Sequence, residues 1–166
     1  MTLIVPFVEG SRVAEVGVCR KGEVDFPGLL EKFRRELRGE AGAIGCFVGI
    51  VRKTSKEGET VECLCYECSE ETKEKLQEIA SGIEKSPNIS GVAIYHVVDE
   101  LKPGEDVVYV LVAGKNRAEV FEVLPKIMNR VKTEVPIWKK EVTKTKEYWI
   151  HEIDDLSGKR DELPTS

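Results

Sequence analysis

The hydrophobic positions of this chain follow two periods, one typical of helices and one typical of strands. Three segments show helical spacing, and their apolar stripes predict three amphipathic helices. The stripes comprise Leu29, Leu30, Phe33 and Leu37; Leu76, Ile79, Ala80 and Ile83; and Phe121, Leu124, Ile127, Met128 and Val131. Ser69 is expected to cap the second helix, and the third is expected to run from about residue 116 to residue 133.

Short apolar or alternating runs between these helices predict strands. The runs cover residues 3–8, 13–18, 43–51, 60–67, 91–98, 107–113, 135–143 and 147–151, of which the last two can pair as a hairpin. Several strands follow one another through hairpin-like connections, so we expect an α+β fold with mixed or antiparallel sheets rather than a doubly wound sheet. Residues 1–153 are expected to form a single domain and residues 154–166 a flexible tail.

The composition narrows the possible function classes. The chain has 166 residues, a net charge of −5 and 33% charged residues. This acidic balance argues against general nucleic-acid binding, and no apolar run approaches the roughly 20 residues that cross a bilayer. No signal-peptide pattern is evident, so we expect a cytoplasmic protein whose five cysteines are reduced thiols.

Three lysines surround a Pro-Ile-Trp turn near the end of the chain. Lys132 precedes this turn, and Lys139 and Lys140 follow Trp138 directly. If Trp138 is buried, a lysine beside it loses part of its hydration, which strengthens its attraction for an anion. This arrangement favours an anion site, although Lys139 and Lys140 could instead flank a strand and keep it soluble.

Cys63, Cys65 and Cys68 are spaced closely enough to suggest a metal site. In a strand, however, Cys63 and Cys65 point to one face and Cys68 to the other, and a fourth ligand is not evident. We therefore expect no metal, and we expect the cysteines to pack as small apolar side chains.

Five elements occur in an order that is typical of one protein family. They are Gly-Ala-x3-Phe-x-Gly-x-Val-Arg at residues 42–52, Tyr66-Glu67, Pro103-Gly104, a helix headed by Arg117, and Pro-x-Trp-Lys-x-Glu at residues 136–141. Together they span about two thirds of the chain. The sequence thus resembles the large, catalytic subunit of molybdopterin synthase.

The resemblance implies an α/β hammerhead-type fold and a sulfurtransferase that needs no cofactor of its own. The implied substrate is cyclic pyranopterin monophosphate, and the sulfur comes from the C-terminal Gly-Gly thiocarboxylate of a small ubiquitin-like subunit. The implied assembly is a homodimer of large subunits within a heterotetramer. By the same resemblance, Lys139 and Lys132 are catalytic, and the substrate-binding residues are Arg52, Arg117, Asn116, Phe47, Met128 and Lys140.

The length of the predicted third helix bears on this assignment. Arg117 and Lys132 are 15 residues apart, or about 22 Å along a helix axis, so they cannot hold one small anion within the same subunit. A dimer with composite sites resolves this conflict. An alternative function is a non-catalytic binding module for the ubiquitin-like protein, because Asn116 and Val97 replace residues that are common in the family.

Overall fold

Two four-stranded sheets and three helices make up the described part of this computed structural model, which is residues 13–150. In chain order the elements are β1 (Val13–Cys19), α1 (Phe26–Glu36), β2 (Ala43–Ile50), β3 (Val61–Cys68), α2 (Thr72–Glu84), β4 (Ile89–Val97), β5 (Glu100–Leu101), β6 (Asp106–Gly114), α3 (Arg117–Glu134), β7 (Ile137–Thr143) and β8 (Glu147–Ile150). The predicted strand at residues 3–8, the domain boundary at residue 153 and the tail lie outside the described residues.

The first sheet has the strand order β1-β4-β6-β2, and the second has the order β5-β3-β7-β8. Strand β1 runs parallel to β4, whereas the other pairs in both sheets are antiparallel. The α+β class with mixed and antiparallel sheets and three main helices is therefore confirmed. The closing hairpin is also confirmed, since β7 pairs with β8.

The core lies on both faces of the first sheet, whose central strands β4 and β6 are almost wholly buried. Helices α2 and α3 pack against this sheet on one side. Helix α1 lies on the other side, where Phe33 and Leu37 come so close to Gly91 that a Cβ there would meet both at 3.1 Å. No helix among residues 13–150 is long and apolar enough to cross a membrane.

Glycine in β2 brings α3 close to the edge of the first sheet. A Cβ on Gly45 would stand only 2.3 Å from Cγ1 of Val120, so any larger residue would push the helix away. The other glycines of this run have different close neighbours, which are the Lys115 carbonyl oxygen for Gly42 and the Val108 side chain for Gly49.

Two details of the helices differ from the expectations. Ser69 does not cap α2, because its hydroxyl has no hydrogen-bond partner among the described residues and Glu71 stands at the N-cap. The Ser69 backbone N–H donates to Thr72 Oγ1 at 3.1 Å. Phe121 was expected in the core, but 67% of its surface is exposed, and Val120 and Val123 take the inward positions of α3. The short strand β5 was not predicted.

Two tyrosines on the first sheet make the folded state sensitive to high pH. Tyr95 donates a hydrogen bond to Glu15, and Tyr109 donates one to Asp106 at 2.8 Å. Burial raises the pKa of each phenol, and the neighbouring carboxylate raises the pKa further. Both phenols therefore stay protonated in the folded chain at a pH at which they ionise in the unfolded chain.

We predict that the free energy of unfolding falls as the pH rises above about 10, by about 1.4 kcal/mol per pH unit for each such phenol. Urea denaturation of the wild type and of Tyr95→Phe and Tyr109→Phe at pH 9, 10 and 11 measures this loss. Each substitution removes one phenol, so it should remove the contribution of that phenol to the decline of the free energy of unfolding with pH. An unchanged slope in both variants would contradict the assignment.

Candidate active site

Strand β7 separates the two neighbouring lysines of the Pro-Ile-Trp-Lys-Lys segment. Successive side chains of a strand point to opposite faces, so Lys139 and Lys140 lie on different sides of the second sheet. Lys139 lies directly opposite Tyr66 of β3 and Ile150 of β8. Because residues that are paired in this way share a face, Lys139 and Tyr66 point to the same side.

The face that carries Lys139 is turned toward the first sheet. The ring of Tyr66 meets that of His96 edge-on, with 5.4 Å between the ring centroids, and His96 is buried on β4. The His96 ring lies 3.0 Å through Nδ1 from the carbonyl oxygen of Val97, which fixes its orientation. The half-buried Lys139 thus lies beside a fixed aromatic pair where the two sheets meet.

A buried carboxylate lies two residues beyond Lys139 on the same face of β7. Glu141 is buried and accepts a hydrogen bond from the hydroxyl of Tyr148, its cross-strand partner on β8. This hydrogen bond raises the pKa of Tyr148, with burial as the next cause. The pair anchors the closing hairpin and so supports the strand that carries Lys139.

Lys140 has different surroundings on the outer face of the second sheet. Its ammonium lies 3.5 Å from Glu147 and 5.9 Å from the centre of the Trp149 ring. Trp138 is also on this face, and 49% of its surface is exposed. The expectation of a buried Trp138 that dehydrates the lysines is therefore wrong, because Lys139 points away from it.

A connection of only two residues joins α3 to β7. This short connection limits how far Lys132 at the end of α3 can lie from Lys139 on β7. Lys132 is exposed in the last turn of the helix. The Ile137 N–H donates to the carbonyl oxygen of Val135 at 2.8 Å, which closes a tight turn around Pro136.

The Pro136 carbonyl is held from α2. Thr72 is 1% exposed, and its hydroxyl donates to this carbonyl oxygen at 2.8 Å while it accepts the Ser69 N–H. One buried hydroxyl therefore links the start of α2 to the start of β7, which we call the lysine strand because it carries Lys139 and Lys140.

Asn116 and Arg117 lie at the opposite end of α3 from Lys132. The helix is continuous from Arg117 to Glu134 and is not interrupted at Pro125. Asn116 is its N-cap, and its Oδ1 accepts the Ala118 N–H at 2.9 Å. The separation expected from the sequence is thus present, and the two ends of α3 do not meet within one subunit.

The remaining predicted site residues lie around β2 and α3. Arg52 is exposed just after β2, where Val51 exchanges backbone hydrogen bonds of 2.9 and 2.8 Å with Glu105 and Gly104. Phe47 is partly exposed on β2, and Met128 is half-buried on α3. The structure brings Lys139 near the end of α3 that carries Lys132, but it places Arg117 and Asn116 at the other end.

Sequence reasoning missed the residues that support this site. Thr72, His96 and Tyr148 were not predicted to contribute, and Tyr66 and Glu141 served only as parts of motifs. Cross-strand pairing of β3 with β7 brings Tyr66 to Lys139. The sequence signals these residues only through polar side chains at alternate positions of β3 and β7. The pairing of these two strands was not predicted.

The fold and the lysine strand define a two-sheet α+β protein with the half-buried Lys139 where the two sheets meet. A family model described as "MoaE protein" matches residues 20–134. The chain therefore belongs to the MoaE protein family, which confirms the resemblance seen in the sequence.

Curated relatives and a solved structure agree with this membership. The "Molybdopterin synthase catalytic subunit" of Pyrococcus abyssi is 38% identical over 82% of this chain and 91% of its own length. The protein of the same name from Escherichia coli is 33% identical over 82% of this chain and 88% of its own length. Molybdopterin synthase from Staphylococcus aureus has a TM-score of 0.70 at 27% identity, covering 82% of this chain and 95% of that one.

We predict that Thr72→Val lowers the free energy of unfolding by about 1–3 kcal/mol, because it leaves the Pro136 carbonyl without its buried donor. Urea denaturation measures the loss. Thr133→Val is the matched control, since the Thr133 hydroxyl donates to Asn129 within its own helix on the exposed surface. The control should change stability by less than about 0.5 kcal/mol. Equal effects of both substitutions would contradict a special role for Thr72.

Proposed function

We propose that this protein is the catalytic subunit of a cytoplasmic molybdopterin synthase. It transfers sulfur from the C-terminal Gly-Gly thiocarboxylate of a small ubiquitin-like subunit to cyclic pyranopterin monophosphate, which builds the dithiolene of molybdopterin. The observation that carries this proposal is membership of the MoaE family, with relatives named as molybdopterin synthase catalytic subunits over about nine tenths of their length. The name "catalytic subunit" also fits an enzyme with a second kind of subunit.

The proposed role of Lys139 follows from its position. A half-buried ammonium at the junction of the sheets interacts more strongly with a developing negative charge than a fully hydrated one. Lys139 faces the thiocarboxylate carbonyl in this proposal and offsets the charge on its oxygen while the bond between carbon and sulfur breaks. Before this, the thiocarboxylate sulfur bonds to a side-chain carbon of the pterin and displaces an oxygen substituent, which gives a thioester between the two molecules. Water then attacks the thioester carbonyl, so the sulfur stays on the pterin as a thiolate and the glycine carboxylate is restored. Two such transfers build the dithiolene.

Lys132 supports the same step electrostatically from the end of α3. The two-residue turn and the hydrogen bond from Thr72 fix the position of the helix end relative to the lysine strand. An enzyme that receives its sulfur from a partner protein needs cations that position the reactants rather than a nucleophile of its own. Lys139 is such a cation, and its cross-strand partner Tyr66 lies beside it on the same face of the sheet.

The other predicted binding residues serve the substrate in this proposal. Arg52 binds the phosphate, since a guanidinium can hold it through two hydrogen bonds. Phe47 and Met128 line the pocket for the pterin. Lys140 remains a predicted binding residue, but its place on the outer face means that it contacts a different part of the bound molecules from Lys139.

Arg117 and Asn116 reach a site only if a second large subunit brings them there. We propose a homodimer in which this end of α3 approaches the lysine strand of the partner subunit, within a heterotetramer that includes two small subunits. Exposed apolar side chains support this interface, since 67% of the surface of Phe121 and 59% of that of Ile50 are accessible. Phe121 follows Arg117 by four residues, so both lie on the same side of the helix.

We predict that Lys139→Ala lowers the rate of dithiolene formation by roughly 100-fold or more while the complex with the thiocarboxylated small subunit persists. Product formation from cyclic pyranopterin monophosphate measures the rate, and size-exclusion chromatography measures the complex. Lys144→Ala changes an exposed lysine in the turn after β7 and serves as the control. A wild-type protein that binds the small subunit but forms no product would instead favour the non-catalytic binding module.

We predict that Phe121→Ser weakens the homodimer by about tenfold or more, because it removes an apolar side chain that the interface would bury. Sedimentation equilibrium of the large subunit alone measures the dissociation constant. Lys126→Ser is the control, since it lies five residues further along α3 and about 140° around the helix. A wild type that stays monomeric at every concentration would contradict the composite site.

A further inference from the structure

A row of four chemically different side chains crosses the outer face of the second sheet. Glu100 of β5 is paired with Cys65 of β3, Cys65 with Lys140 of β7, and Lys140 with Trp149 of β8. Cross-strand partners share a face, so all four lie on the side opposite Lys139. Cys63 precedes Cys65 by two residues and shares this face.

The two thiols and the carboxylate are close enough to share one ion. The Sγ atoms of Cys63 and Cys65 are 4.0 Å apart. These two atoms and a carboxylate oxygen of Glu100 all lie within 4.8 Å of one another. A tetrahedral Zn²⁺ with bonds of about 2.3 Å to sulfur holds its two sulfurs roughly 3.8 Å apart. The observed sulfur separation is therefore near the one that zinc requires.

We propose that Cys63, Cys65 and Glu100 bind a thiophilic divalent cation, with Zn²⁺ as the best match and water as the fourth ligand. The expectation from the sequence was that no metal binds, because Cys68 was the only apparent third ligand. Cys68 is exposed and lies on the other face of β3. The third ligand comes instead from β5, whose pairing with β3 could not be seen in the sequence.

The charges around the thiols favour a cation. Glu100 and Glu62 are neighbouring carboxylates, and their negative charge attracts a dication. The charge of a bound dication in turn stabilises the thiolate form of both cysteines.

The Lys140 ammonium does not compete for this position. It lies toward β8, at 3.5 Å from Glu147 and over the Trp149 ring, whereas Glu100 approaches Cys65 from the opposite edge of the sheet.

A metal at this position would join two strands. Strand β5 has only two residues, and both pair with β3. The ion adds a bond between the strands through Glu100 and the two thiols, so its expected effect is structural. Its position on the face opposite Lys139 separates it from the carbonyl that Lys139 faces in the proposed sulfur transfer.

Cobalt is the probe for this site, because Co²⁺ bound by thiolates has intense charge-transfer absorption in the near ultraviolet. The full chain, reduced with a phosphine and freed of metal, is titrated with Co²⁺ and then with Zn²⁺. We expect one equivalent of Co²⁺ to produce the absorption and Zn²⁺ to abolish it. Cys63→Ser and Cys65→Ser should each abolish it, and Glu100→Gln should weaken binding by at least about tenfold.

Cys46→Ser and Cys68→Ser are the matched controls and should retain the absorption. The proposal is overturned if the wild type shows no thiolate absorption, if its dissociation constant exceeds roughly 10 µM, or if the absorption survives in both Cys63→Ser and Cys65→Ser. Circular dichroism of each metal-free variant shows whether it folds.

A second measurement on the wild type does not depend on any variant. With Zn²⁺ bound, Cys63 and Cys65 should resist alkylation more than the other three of the five cysteines, as mapped by mass spectrometry. Equal protection of all five cysteines, or of none, would also overturn the proposal. Neither measurement requires sulfur transfer, so its outcome is separate from that of the proposed function.

Discussion

The hydroxyl of Thr72 is the contact on which the geometry of the lysine strand depends. It accepts the Ser69 N–H and donates to the Pro136 carbonyl, and so it links the end of β3, the start of α2 and the start of β7. The connection from α3 to β7 has only two residues, which leaves little freedom for adjustment. The helices that cover the first sheet thereby determine where the second sheet presents Lys139.

Alternation along β7 divides a cluster of lysines into two environments. Lys139 lies with Tyr66 on the face toward the first sheet, while Lys140 lies with Trp149 on the outer face. The same strand thus presents a half-buried lysine where the sheets meet on one side and a lysine on the outer face on the other. A lysine-rich segment of this kind cannot be treated as a single patch of charge.

The sequence predicted the three helices, most strands and the closing hairpin, because each has a clear hydrophobic period. It failed where long-range contacts decide the outcome. The Thr72 hydroxyl, rather than that of Ser69, makes the side-chain hydrogen bonds at the start of α2, one of them to Pro136. Phe121 is exposed although its spacing matches a core position. Strand β5 has only two residues, too few to show a period.

The candidate site shows the same division between local and long-range information. The resemblance named Lys132, Lys139 and the arginines, but residue order alone could not tell which of them share a face. Strand register supplied that information, and it also showed that Tyr66 pairs with Lys139 and Glu100 with Cys65. Pairing between distant strands depends on the whole fold, so no local pattern predicts it.

The uninterrupted course of α3 makes this helix a spacer of fixed length and fixed rotation. Its 18 residues extend about 27 Å. One inserted or deleted residue within it would turn Arg117 by about 100° relative to Lys132, in addition to shifting it along the axis. Substitutions on the exposed side leave this relation intact. The helix can therefore vary in composition far more readily than in length, and in the proposed dimer a change of length would displace Arg117 from the lysine strand of the partner subunit.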